Sequence, residues 1–413
     1  MEARGFSTDR VLRTAIIGLV IISVIGFAAL SFPSTKTDQA NSIDFSTFYC
    51  AGRMVRQGLG HSLYDVAEQS RCLSEVRSVG IFYLRPPFES LLFIPLSYLN
   101  YRRAYLLWTL ASVLMLGVSA HFIELETAAS RKITQHTNIR ADFGLLLGIC
   151  VTFSPFTTGL MLGQDAALVL LVYTFALVLL VRRRELGAGL MLGGALLKFQ
   201  LVLPLALILL LRRKWRVLVG VSASGAFLTL VSVAISSRQV LHQYPHFLLN
   251  PDPHLHLLGP EPWYMPNIRG LLTLLLGNFF SSRSITRLTL AVSSLLICLA
   301  ARFWNDDDLK LSFAVALLAS LLSSYHLHNY DLTLLLLAIP MAVGDRPSRA
   351  AKWAVVALLI SPLHLFLMTH GIYALMFVPV AGLLLSAISA LRAQRISACG
   401  RGVPPGSGHG RDG

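Results

Sequence analysis

Residues 182–216 read RRRELGAGLMLGGALLKFQLVLPLALILLLRRKWR, an apolar stretch closed at both ends by basic clusters. Arg182, Arg183 and Arg184 precede it, and Arg212, Arg213, Lys214 and Arg216 follow it. Short loops rich in Lys and Arg stay on the cytoplasmic side of a membrane. A single crossing would leave one of the two clusters outside, so the stretch must enter and leave on the same side. Lys198, Gln200 and Pro204 interrupt it. The pattern predicts two short helices, 187–197 and 200–211, forming a broken hairpin. Lys198 and Gln200 then sit at its tip, toward the outer side. An interruption at membrane depth is tolerated where it lines a protein cavity.

The rest of the chain agrees with a membrane setting. Of 413 residues, 54% are hydrophobic and 14% are charged, against roughly 25% charged in soluble domains. A formal charge of +14 would suit nucleic acid, but the basic residues sit in short clusters between apolar runs, so no nucleic-acid partner is expected and the partner is the lipid bilayer. Spans are expected near 11–31, 104–123, 141–157, 165–181, 215–236, 285–303, 310–325, 331–344, 352–369 and 372–391. The first, preceded by Arg4, Arg10 and Arg13, reads as an uncleaved span with a cytoplasmic N-terminus. The expected fold is all-α, a polytopic transmembrane helical bundle of about ten full spans plus the broken hairpin and an outer-face loop domain. It occupies 1–395, with outer loops at 32–103 and 237–267. Residues 396–413, rich in Gly, Pro and Arg, are expected to be a disordered cytoplasmic tail. Cys50 and Cys72 share the first outer loop and can pair if that loop is oxidising; the sequence leaves the pairing open.

This topology gathers polar residues on one face. Asp44, Arg85, Gln164, Asp165, Lys198, Asn267, Arg269, His326, His328, Asn329 and Asp331 all fall at outer span ends. A site at the outer membrane surface follows. Each residue also has a plainer explanation. Asp44, before Phe45-Ser46-Thr47-Phe48-Tyr49, suits a helix N-cap, and taken alone the cap is the better reading. Asp165 suits the cap of the span that starts at Ala166, so Gln164 is the preferred site residue of the two. Arg85 is equally a snorkelling interface residue. Lys198 resists such an account, because a lysine in an apolar hairpin is costly unless paired or functional. Ser324 to Asp331 packs hydrogen-bonding side chains between two apolar runs, and leaving them unpaired would cost roughly 1–3 kcal/mol each. His326 and His328 have metal-ligand spacing on a strand but lack a third ligand, so no metal and no cofactor are expected.

The order and spacing of several motifs resemble one family. They are Asp44-Phe45 with Phe48-Tyr49 and Ala51-Gly52, Leu63-Tyr64-Asp65, Arg85-Pro86-Pro87-Phe88, Pro95-Leu96, and Ala104-Tyr105 with Trp108. Gly163-Gln164, Lys198 with Gln200, Arg212-Arg213-Lys214-Trp215, Asn267-Ile268-Arg269-Gly270 and the His326–Asp331 cluster complete the series. Together, over about residues 40–345, they resemble family 87 glycosyltransferases of the GT-C superfamily. The resemblance implies a hexosyltransferase in the cell membrane that uses a polyprenyl-phosphate sugar at an extracytoplasmic active site. It implies a mannosyltransferase that takes polyprenyl phosphate mannose as donor and acts on a glycan or glycolipid acceptor. It also implies that Asp44 is the catalytic base and that transfer inverts the anomeric centre. Arg269, Lys198, His326 and Arg85 are then candidates to hold the donor phosphate, and Gln164, Asn267, His328 and Asp331 to bind sugar hydroxyls. Arg85 departs from the small or apolar residue common in the family, and the acidic pair of some GT-C enzymes is not present at 44–45. Two alternatives share these features: a transporter or flippase for a lipid-linked sugar, and a polysaccharide ligase using a lipid pyrophosphate donor.

Overall fold

The computed structural model describes residues 44–76, 82–131, 148, 150–249, 262–343 and 347–400. The span expected at 11–31, part of that at 141–157 and residues 401–413 lie outside them.

Two short helices open the described chain, α1 (Phe45–Arg56) and α2 (Val66–Glu75). Asp65 starts α2 by accepting from the backbone N–H groups of Ala67 and Glu68. Cys50 and Cys72 join the two helices as a disulfide, with Cα atoms 5.8 Å apart. The sequence leaves this pairing open; it arises because α2 folds back along α1. Arg53 and Glu75 add an ion pair of 2.5 Å at the same seam. Replacing both cysteines by serine is expected to lower stability by about 2–4 kcal/mol. Thermal unfolding with and without reductant checks this; identical transitions would show that the aromatic packing around α1 suffices.

The bundle then runs through α3 (Tyr101–Arg131), α4 (Ser154–Leu162), α5 (Ala166–Val181), α6 (Glu185–Gly194), α7 (Phe199–Leu211) and α8 (Trp215–Ser236). It continues with α9 (Val240–Leu249), α10 (Ile268–Leu276), α11 (Ser282–Phe303), α12 (Leu309–Ser323), α13 (Leu335–Val343), α14 (Arg349–Leu359), α15 (Ser361–Thr369) and α16 (Phe377–Gly400). Tight 3₁₀ turns at Pro87–Phe93, Ala195–Lys198 and Asn329–Leu334 carry polar residues between them. The last helix therefore continues five residues into the segment expected to be tail. In α12 every side chain except Lys310 is buried. A helix apolar on all sides belongs inside a bundle, and α7, α11, α13 and α16 pack around it.

About ten spans were expected. Among the described residues, five helical stretches are long and apolar enough to cross a membrane: Tyr101–Ala128, Glu185–Leu211, Trp215–Ser236, Ser282–Phe303 and Tyr373–Ile396. The pair α14–α15, bent by 67°, would make a sixth. The difference lies mainly in length. Helix α5 has 16 residues and α12 has 15, whereas a span needs about 20.

The stretch 185–211 is not one straight crossing. A straight helix of that length would rise about 40 Å. Yet Lys214, just past its end, lies 3.6 Å from Glu185 at its start. The chain therefore turns back at Ala195–Lys198, as the basic clusters at both ends require. The two limbs diverge: α6 packs on α5 and α8, and α7 on α11 and α12. The α6–α8 contact is close because Gly189 lies against the Val217 carbonyl and Gly220 against that of Leu186, where any Cβ would collide.

These packings define two ends. At one, Lys214 pairs with Asp306 at 2.7 Å, Arg183 donates to the Asp306 carbonyl at 3.0 Å, and Arg395 donates to the Trp304 carbonyl at 2.7 Å. At the other, about 24 Å away along the 16 residues of α5, lies a cluster of buried acids, amides and cations.

Candidate active site

Helix α1 brings Asp44 to that cluster. Phe45, Phe48 and Tyr49 are buried and meet the rings of Phe93, Tyr101 and Tyr105 at 5.1–6.2 Å. Trp108 donates to the Gly163 carbonyl at 3.0 Å, which fixes the α4–α5 turn beside α1. Gly163 has φ 68°, and a Cβ there would stand 2.5 Å from Phe45 Cβ. Gly163→Ala is therefore expected to destabilise the fold by about 1–3 kcal/mol and to push Asp44 from its partner. Thermal unfolding and donor binding read the two effects separately.

Asp44 does not act as a side-chain cap. It precedes α1, but its carboxylate makes no cap hydrogen bond. It accepts instead from the Gln164 amide nitrogen. The Gln164 carbonyl oxygen accepts from Arg85 Nη2 at 3.2 Å. The amide is thus oriented from both sides, donating to the carboxylate and accepting from the guanidinium. Burial raises the Asp44 carboxyl above the ordinary carboxylate range; the Gln164 hydrogen bond and the charges of Arg85 and Lys198 oppose that rise.

Behind this chain lies the hairpin tip. Lys198 is 1% exposed, with Nζ 2.6 Å from Asp331 and 2.8 Å from Asp165. Its ammonium also faces the Tyr330 ring at 4.7 Å. Arg85 reaches Asp165 at 3.9 Å and the Leu197 carbonyl at 3.5 Å. The second Asp331 oxygen accepts from the His328 backbone N–H at 2.9 Å. A lysine this buried and doubly paired is a counter-ion within the wall, so its expected role as a phosphate contact gives way to a role in holding three elements together.

Asn267 is likewise held within the scaffold. It is fully buried, accepts from the Gly270 N–H at 2.8 Å and donates to the Ser324 carbonyl at 2.7 Å. It caps α10 and ties it to the Ser324 loop, and no face is open for a sugar. The tie sets Arg269, half-buried, against Tyr325, with the guanidinium 4.1 Å from the ring. His326 and His328 follow, 5.1 Å apart. Burial and the Arg269 charge hold His326 down to about 4, so its ring is neutral at pH 7. His328 is lowered too, by burial and by His326.

Seven expected residues therefore meet in one connected cluster: Asp44, Arg85, Gln164, Lys198, Asp331, His326 and His328. Arg269 stands at its edge, and Asn267 serves as scaffold. Two further acids belong to it. Asp165, read from sequence as a cap, makes no cap hydrogen bond and is fully buried against Lys198. Glu89 was not singled out, yet it too is fully buried. Its signal was present: a lone acid in the apolar run after Pro86-Pro87, as costly there as Lys198 in its hairpin. Among the described residues no group of three or more His, Cys, Asp or Glu side chains is placed to hold a metal.

The family model for glycosyltransferase family 87 matches residues 83–325, more than half of the chain. Comparison with curated proteins and with solved structures returned no match.

Proposed function

The chain belongs to glycosyltransferase family 87, and from that premise we propose that it transfers a hexosyl unit, mannose, from a polyprenyl-phosphate donor to a glycan or glycolipid acceptor. In this proposal the transfer takes place on the extracytoplasmic face of the cell membrane and inverts the anomeric centre. The single observation that supports it most is the turning of the Asp44 carboxylate from its own helix toward Gln164. An acid committed to capping could not serve as a base; one held at the edge of a charged cluster can.

The acceptor hydroxyl oxygen attacks the anomeric carbon while Asp44 takes its proton. The bond from that carbon to the phosphate oxygen breaks, and polyprenyl phosphate leaves with the electron pair. Arg269 and the neutral His326, at the rim, donate to the departing phosphate, and Arg85 adds positive potential from behind. His328 lies beside the sugar, while Asp331 acts through Lys198. The Cys50–Cys72 disulfide in the same loop favours an oxidising, extracytoplasmic side.

Purified protein in vesicles, given labelled polyprenyl-phosphate mannose and glycolipid acceptors, is expected to form labelled product. Label taken only from a pyrophosphate donor would point to a ligase, and label moved across the bilayer without transfer would point to a flippase; either result ends the proposal.

A further inference from the structure

The buried cluster holds more acid than base. Asp44, Glu89, Asp165 and Asp331 are carboxyl groups, and Arg85 and Lys198 are the cations inside it. If all six were charged, two negative charges would be buried without partners, which is prohibitively costly. Asp165 and Asp331 each touch Lys198, and Asp44 is tied to Gln164 at the cluster's more open edge.

Glu89 is the member left over. It is 0% exposed, and neither of its oxygens receives a hydrogen bond among the described residues. It lies within hydrogen-bonding reach of the Asp165 carboxyl. Asp165 contacts Lys198 at 2.8 Å but without a directed hydrogen bond to either of its oxygens. Two carboxyl groups so placed bond to each other only if one carries a proton. The groups facing Glu89 are Arg85, Asp165 and Lys198, with Tyr64, Tyr83 and Tyr244 behind it.

We infer that Glu89 is held as a neutral carboxylic acid that donates its proton to Asp165, and that this bond positions the Asp165–Lys198–Asp331 chain and, through Arg85 and Gln164, the Asp44 carboxylate. Glu89 is thus a positioning residue. Burial pushes its carboxyl up to about 8, against the pull of Arg85 and Lys198, which agrees with a proton retained at pH 7. One negative charge then remains unmatched in the cluster, and the acid left to carry it is the one proposed as base.

A carboxyl whose folded value is raised stabilises the fold fully below its unfolded value, 4.5, and loses that contribution as pH rises toward about 8. Above about 8, ionised Glu89 repels Asp165, and transfer falls by up to tenfold per pH unit.

Glutamine imitates the protonated acid and cannot ionise. Glu89→Gln is therefore expected to keep transfer near wild type at pH 7, to abolish the decline above pH 8, and to remove the infrared carbonyl band of a protonated carboxyl. Glu89→Ala is expected to lose transfer about tenfold or more, since it leaves Asp165 without its donor. Glu89→Gln behaving like Glu89→Ala, an unchanged alkaline limb, or a persisting carboxyl band would each overturn the inference. Its activity arm rests on the transfer proposed above. The infrared arm does not, so a failure of that function and a failure of the proton assignment are distinguishable.

Discussion

Asp44→Asn is expected to lower sugar transfer at least about a hundredfold while leaving the fold intact. The lower bound comes from the typical worth of a general base, roughly 10²–10⁴-fold. The intact fold comes from the geometry. Asp44 makes no side-chain cap bond, so α1 loses nothing through its side chain, and asparagine still accepts from Gln164 through its carbonyl. The measurement is initial rate in vesicles alongside a thermal transition of the same preparation. Transfer within tenfold of wild type would remove Asp44 from the chemistry. The pH profile adds a second reading. A base must be unprotonated, and burial raises Asp44 above the ordinary carboxylate range. Wild-type transfer should therefore fall with decreasing pH at a higher pH than an exposed carboxylate would give, and the residual activity of Asp44→Asn should lack that acid limb.

Lys198→Met is expected to be the most damaging single change to stability, at about 3–5 kcal/mol. Methionine fills the volume but leaves Asp165 and Asp331 buried without a cation. Those acids come from the start of α5 and from the turn before α13, while Lys198 comes from the hairpin tip. Losing one ammonium thus loosens three elements. Combining Lys198→Met with Asp165→Asn and Asp331→Asn removes the stranded charges, and thermal unfolding should recover most of the loss. A single mutant as stable as wild type would mean that the pair is solvated.

Much of this arrangement was legible in the residues. The basic clusters around 187–211 called for a re-entrant stretch, and the Lys214–Glu185 contact bears that out. Lys198 announced a partner because an unpaired lysine in an apolar run is too costly to keep. The Ser324–Asp331 series announced a polar site for the same reason. The sequence misled where one residue type serves two ends. Asp44 and Asp165 both precede helices, and nothing local tells a capping acid from one whose side chain points away. Asn267 looked like a ligand group because one of its two commitments, the Ser324 carbonyl, lies in a loop 57 residues away. Glu89 was missed among apolar neighbours because its partner, Asp165, arrives from another helix.

By itself the sequence determined an all-helical membrane chain, the re-entrant stretch and the set of polar residues that needed partners. Those conclusions follow from local costs: apolar length against bilayer thickness, and the penalty for an unpaired charge. Only the tertiary structure decided the pairing. It assigned Lys198 to Asp165 and Asp331, Gln164 to Asp44 and Arg85, and Cys50 to Cys72. A charge states in sequence that it must be matched, but the match is made by whichever helices the packing brings within 3 Å. That same packing left Asp44 at the open edge of the cluster, where its carboxylate faces Gln164 instead of its own helix.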